Sequence, residues 1–172
     1  GIQAGGGAVE ISVASETGIA IGCFEGAMPI SVQNCGLRLE IHVGTGLGIG
    51  CLKGDQNIHI AHSNVEIKGS GSLLCGVGSV EKTGGVIRME AGQLSARLNG
   101  QHVGMVGNAG GSLHVLTKNC RLELKGEGSR VWGVGSMDGS AVIRSHGAVY
   151  DIHVRAGEYR LIGAEEENLS FE

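Results

Sequence analysis

Proline is nearly missing from this sequence: Pro29 is the one example in 172 residues. Aromatic side chains make up 3%, aspartate occurs at Asp55, Asp138 and Asp151 alone, and no basic run exceeds two residues. Each shortage excludes something. A collagen triple helix needs abundant proline beside its glycine, so 33 glycines with one proline do not make one. With few aromatics, aliphatic side chains must fill the core. A net charge of −4 without basic patches excludes a nucleic-acid partner held by phosphate neutralisation. No stretch approaches the roughly 20 apolar residues of a membrane helix, so no membrane partner is expected. No cleavable signal peptide is legible, which leaves the compartment open. Apolar residues reach 41%, too many for a disordered glycine-rich linker, and 172 residues suffice for one domain with a real core.

What is present is a returning landmark. Ile21-Gly22-Cys23, Ile49-Gly50-Cys51, Val77-Gly78-Ser79, Val106-Gly107-Asn108, Val134-Gly135-Ser136 and Ile162-Gly163-Ala164 stand 28, 28, 29, 28 and 28 residues apart. A fixed period of this length marks a repeat architecture whose units stack to bury a common core. Aligned on the landmark, the units show apolar rows. One runs Ile2, Ile30, Ile58, Ile87, Val115, Ile143 and Phe171, and two residues on stand Val32, Ile60, Met89, Thr117 and Ser145. A second pair runs Val9, Leu37, Val65, Leu94, Leu122 and Tyr150, then Ile11, Leu39, Ile67, Ala96, Leu124 and Ile152. Alternation of period two is the strand signal, and no helical period is sustained.

The pattern predicts an all-β parallel β-solenoid of about six 28-residue coils, three short strands per coil, right-handed by the general rule for parallel crossovers. The whole chain, 1–172, is one domain: a partial coil 1–20, coils 21–48, 49–76, 77–105, 106–133 and 134–161, and a partial coil 162–172. At about 4.8 Å per coil the prism is on the order of 29 Å tall. Gly44-Thr45-Gly46, Gly69-Ser70-Gly71 and Gly126-Glu127-Gly128 read as turns. The landmark glycine reads as a corner needing positive φ or a close backbone approach. The extra residue of the third repeat, between Val77 and Ile87, reads as a bulge or longer loop. An antiparallel propeller or sandwich would show paired hairpin signals, and only Asn99-Gly100 qualifies.

The Gly46-Leu47-Gly48-Ile49-Gly50 segment, its looser copies Gly76-Val77-Gly78-Ser79 and Gly133-Val134-Gly135-Ser136, and apolar strand residues seven apart carry a resemblance. The chain resembles the Gly-rich, Gly-Ile-Gly-Gly-Gly type β-helical repeats of Gram-positive bacterial surface and secreted proteins. That resemblance implies a wall-associated or adhesin-like scaffold, secreted or at the cell surface, with no catalytic residues to carry over. This chain has less Thr, less Gly and five cysteines by comparison, and reduced cysteines leave a cytoplasmic location open.

Candidate chemistry is sparse. Cys23 and Cys51 share a repeat position in adjacent coils, about 4.8 Å apart with parallel Cβ vectors, beyond the usual Cβ separation of about 3.5–4.5 Å for a disulfide. Cys35 and Cys120 share another position three coils apart, and Cys75 stands alone. Five reduced, core-filling thiols are expected, and no zinc spacing occurs. Glu25, Lys53, Glu81, Gly110, Asp138 and Glu166 form one loop row, interrupted by lysine and glycine. No metal site, cofactor or catalytic carboxylate pair is expected from it. The second strand's outer face alternates signs: Glu10, Arg38, Glu66, Ser95, Glu123 and Asp151 beside Ser12, Glu40, Lys68, Arg97, Lys125 and His153. The first strand's outer face is mildly basic, with His59, Arg88, Leu116 and Arg144 beside Glu90, Lys118 and His146.

These residues predict a non-catalytic structural or adhesive repeat module. The alternative is a carbohydrate-binding module holding a polysaccharide along the face of His59, Arg88, Lys118, Arg144 and His146. Of the aromatics, Trp132, Tyr150 and Phe171 fall on apolar rows, leaving Phe24 and Tyr159 for a sugar platform. The N-terminal coil has no charge before Glu10, whereas Glu165-Glu166-Glu167 sits at the other end. The N-terminal coil is expected to be covered, by more protein in a longer chain or by a second copy in a homodimer, since an uncharged open strand edge recruits another chain. The acidic end opposes head-to-tail stacking.

Overall fold

The computed structural model describes residues 1–164 and 166–171, without the side chains of Ile2, Ala4, Lys82, Glu166, Glu167 and Asn168. Eleven strands run β1 (Ile2–Gly5), β2 (Ala8–Glu25), β3 (Pro29–Gln33), β4 (Gly36–Lys53), β5 (Gln56–Ala61), β6 (Asn64–Lys82), β7 (Gly85–Glu90), β8 (Gln93–Lys118), β9 (Arg121–His146), β10 (Val149–Gly163) and β11 (Glu166–Phe171). They form one sheet, wound on itself, in which every pairing is parallel. Ile30 pairs with Ile58 and Leu37 with Val65, 28 residues on, so each coil lies in register on the next. Across the third coil the offset becomes 29, as in Ile58 with Ile87, and returns to 28 at Lys82 with Gly110. The extra residue is absorbed as an irregularity between Ser79 and Lys82. The fold is a β-solenoid of about six turns.

The rows point inward as their alternation requires. Ile30, Ile58, Ile87, Val115 and Ile143 are all at most 1% exposed, and Leu37, Leu39, Val65, Ile67, Leu94, Leu122 and Leu124 join them in one continuous core. A second, smaller cluster packs Leu47, Leu52, Cys75 and Val80. Trp132 shows how the stack tolerates an outsized side chain. Its register partner in the coil before is Gly104, and a Cβ there would lie 2.2 Å from the indole. The missing side chain of one coil makes room for the large one of the next.

Two corners recur in every coil, each with its own backbone requirement. At the landmark, Gly22, Gly50, Gly78, Gly107, Gly135 and Gly163 have φ between 120° and 156°. From Gly22 to Gly135, a Cβ would fall 1.6–2.0 Å from the carbonyl oxygen of the next coil's landmark glycine. Positive φ and close approach therefore both hold, and only glycine meets both. The second corner went unnoticed in the sequence. Gly6, Asn34, His62, Ala91, Asn119 and Gly147, again one per coil, are left-handed at φ 48–74°. Glycine and asparagine occupy four of these positions because they adopt this conformation most readily, whereas Ala91 bears a cost of about 1–2 kcal/mol.

Three readings are corrected by the structure. The Gly44–Gly46, Gly69–Gly71 and Gly126–Gly128 segments lie inside β4, β6 and β9: one or two pairs drop out of the ladder at Gly44, Gly71 and Gly128, but the strands run on through them. The second and third strands of a coil thus run on as one, and in β8 and β9 the following first strand joins as well. Phe171 does not continue the Ile143 row: Leu169 pairs with Ile143 and Phe171 with Ser145, because the last coil is two residues shorter there. Phe171, 53% exposed, instead stands edge-on to Tyr150, ring centroids 6.3 Å apart. Tyr150 in turn hydrogen-bonds the Thr117 hydroxyl, so this polar member of the inner row is satisfied from β10.

Replacing Gly107 by alanine is expected to cost more than about 3 kcal/mol, strain at positive φ adding to displacement of the next coil. Gly36→Ala, where a Cβ meets nothing within 4 Å, should change stability by less than about 1 kcal/mol. Urea unfolding of the two variants beside the parent checks both values.

Candidate functional site

The two outward faces carry similar residue types but different pairing. On the second-strand face, Glu66 accepts from Arg38 at 3.0 Å and from Lys68 at 2.8 Å, Arg121 meets Glu123 at 2.6 Å, and His153 meets Asp151 at 2.8 Å. Lys68, then Arg38, holds the Glu66 carboxyl below its ordinary value. A groove of about 630 Å³ opens on this face over Val9, Glu10, Arg38 and Glu66. Its arginine is already occupied by the Glu66 carboxylate, so it offers no unpaired cation.

The first-strand face differs. Register places Ser31, His59, Arg88, Leu116, Arg144 and Ser170 in one row, and Glu90, Lys118 and His146 in the next. All five residues read from the sequence are therefore brought to one face. They divide between two shallow cavities. One of about 470 Å³ is lined by His59 and Arg88 with Gln3, Ser31 and Asn57. The other, about 270 Å³, is lined by Lys118, Arg144 and His146 with Glu90, Leu116 and Ser170. Neither Arg88, Lys118 nor Arg144 has a carboxylate partner among the described residues. His59 is half-buried, and its Nε2 is buried without a hydrogen-bond partner.

The acidic loop row is altered by the irregularity in the third coil. Lys82, not Glu81, aligns with Gly110 and Asp138, and Glu166 pairs with Ser140. Asp138 is instead engaged by Arg130, whose guanidinium also grips Glu158, its register partner in the last coil, at 2.9 and 3.1 Å. Glu158, then Asp138, raises the arginine further above its already high value. This three-residue clamp was not singled out in the sequence, although Arg130 and Glu158 stand one repeat apart. Among the described residues no group of three or more His, Cys, Asp or Glu side chains converges. The two aromatics left for a platform, Phe24 and Tyr159, are 53% and 61% exposed but sit in the first and last coils. They share no surface.

All five cysteines are free thiols. Cys35, Cys51, Cys75 and Cys120 are buried, and Cys23 is partly exposed at the open first coil. Burial pushes the Cys75 thiol up to about 12 and raises Cys120 as well. Burial first, then hydrogen bonding to Cys51, pushes Cys23 up to about 11. The Cys35 backbone donates to the Ser63 hydroxyl at 3.3 Å, so the small inner residues of the second corner hold each other. Alkylation under native, non-reducing conditions is expected to label Cys23 alone, and alkylation in denaturant all five. Peptide mapping by mass spectrometry reads both numbers.

Comparison with protein-family models, with characterised proteins and with solved structures yields no match, so the functional reading rests on this chain's own residues and their register.

Proposed function

We infer that the chain is a non-catalytic structural or adhesive repeat module of a secreted or surface protein. The observation that carries this reading is the parallel stacking from β1 to β11, in register except for the local irregularity between Ser79 and Lys82 and the shorter last coil, which makes the molecule a rod with regular faces. Both ends of such a rod present strand edges with exposed apolar side chains: Val9 and Phe24 at the first coil, Val149, Tyr159 and Leu161 at the last. Parallel edges of this kind join other strands unless they are blocked. A second copy meeting the N-terminal coil head-to-head closes as a two-fold dimer, whereas head-to-tail stacking grows without limit. The acidic run Glu165-Glu166-Glu167, invoked from the sequence against stacking, lies outside the described residues or side chains. Light scattering over a concentration series is expected to show a monomer–dimer equilibrium, and Val9→Lys with Phe24→Lys should return it to monomer.

A second reading is favoured by one observation, the contrast between paired and unpaired cations on the two faces. Arg88 and Arg144 lie two coils apart, about 9.6 Å at the usual strand spacing, with the apolar Leu116 between them. A linear acidic polysaccharide laid along the stack would set carboxylates on the arginines and ring C–H groups on Leu116. Binding to a panel of acidic and neutral polysaccharides separates the two readings. Under the second, acidic members bind, salt weakens them, and Arg88→Ala and Arg144→Ala each cost about fivefold, or about 1 kcal/mol. Equal or absent binding across the panel leaves the structural reading.

A further inference from the structure

The residue after the landmark glycine forms its own row: Cys23, Cys51, Ser79, Asn108 and Ser136. Its first two members are thiols on adjacent parallel strands, β2 and β4, and are register partners. Cys51 is fully buried. The backbone that carries it is clamped by Gln56, itself 2% exposed, which accepts from the Cys51 N–H at 3.0 Å and donates to the Cys51 carbonyl at 3.0 Å and the Gly54 carbonyl at 2.9 Å. Cys23, in the first coil, is partly exposed, and its thiol contacts the Gly26 carbonyl at 3.5 Å and hydrogen-bonds the Cys51 thiol. One thiol is thus fixed and the other is open to solvent.

The spacing of the pair decides what can join it. Equivalent atoms on in-register parallel strands stay about 4.8 Å apart, with their Cβ vectors parallel. A disulfide needs sulfurs at about 2.05 Å and Cβ atoms at about 3.5–4.5 Å, closer than the stack allows. Two metal–sulfur bonds of about 2.3 Å, end to end, span about 4.6 Å, which the stack already provides. Structural zinc takes four ligands, and no third His, Cys, Asp or Glu converges here among the described residues. A soft monovalent ion satisfied by two thiolates is the remaining class, and thiolates select Cu(I).

We propose that Cys23 and Cys51 form a two-coordinate thiolate site for Cu(I), entered from the side of the partly exposed Cys23. Binding converts two thiols and one Cu(I) ion into an S–Cu–S bridge of net charge −1 and releases two protons to solvent. No electron is transferred. The bridge ties the terminal coil to its neighbour, adding a link where the ladder is paired on one side only.

The test is anaerobic titration with Cu(I) buffered by bicinchoninate, at concentrations where light scattering shows monomer, followed by copper K-edge absorption of the loaded protein. The expected result is one Cu(I) per chain held by two sulfurs, with at least a 100-fold loss of affinity in both Cys23→Ser and Cys51→Ser. Cys75→Ser, a buried thiol outside the row, should keep the parent affinity, and circular dichroism of each variant separates loss of the site from loss of the fold. Parent-like affinity in the folded Cys23→Ser variant, or copper bound by three or more ligands, would overturn the proposal. So would rapid formation of a Cys23–Cys51 disulfide by the folded chain under mild oxidant, because the thiols would then approach more closely than the stack is argued to permit.

Discussion

From Gly22 to Gly135, each landmark glycine lies where a side chain would strike the carbonyl oxygen of the glycine one coil further on. This contact sets how closely the coils stack at that corner, and much else depends on it. Because the backbone turns there at positive φ in every coil, successive coils turn alike and their strands stay parallel and in register. Register then makes the core. A row such as Ile30, Ile58 and Ile87 is buried because each member sits on the last, and with most buried side chains worth about 1.5–3 kcal/mol, the aliphatic rows replace the aromatic core this chain lacks.

The same register governs the surface. Outward positions line up as strictly as inward ones, so the charge sequence of each row becomes a charge pattern along the rod. Glu66 pairs with Arg38, its register partner one coil before, and with Lys68 two residues on in the same strand, while Arg88 and Arg144 are separated by Leu116 and have no acid in their row. In the row behind the landmark the outcome is chemical as well: two cysteines one repeat apart become two thiols one strand spacing apart. Irregularities stay local. The extra residue at Ser79–Lys82 moves Glu81 out of its expected row yet leaves Ile87 on Ile58.

Much of this was legible beforehand, for a definite reason. In a repeat, 28-residue spacing states which residues will be neighbours, so the core rows, the thiol pair and the basic face could be read without knowing a single contact. What escaped falls into two kinds. The left-handed corner was hidden because His62 and Ala91 interrupt a column otherwise made of Gly6, Asn34, Asn119 and Gly147. Phe171 was misplaced because its row was extended past the last landmark, where the coil is two residues shorter and Leu169 takes the place on Ile143. The glycine-flanked segments misled in the other direction: one or two pairs drop out of the ladder there, but pairing resumes within a residue or two and the strand continues.

The most direct measurement of the stacking itself is the set of scalar couplings across backbone hydrogen bonds, read by NMR on isotope-labelled protein. The expected result is a series linking amides and carbonyls of coils one period apart, such as the Asn64 amide with the Cys35 carbonyl and the Arg121 amide with the Gly92 carbonyl. The coupled partners should lie 27–30 residues apart throughout, as the bonds between neighbouring coils do. Couplings between residues close in sequence, in the antiparallel pattern of hairpins, would contradict the stacked corner and the account built on it.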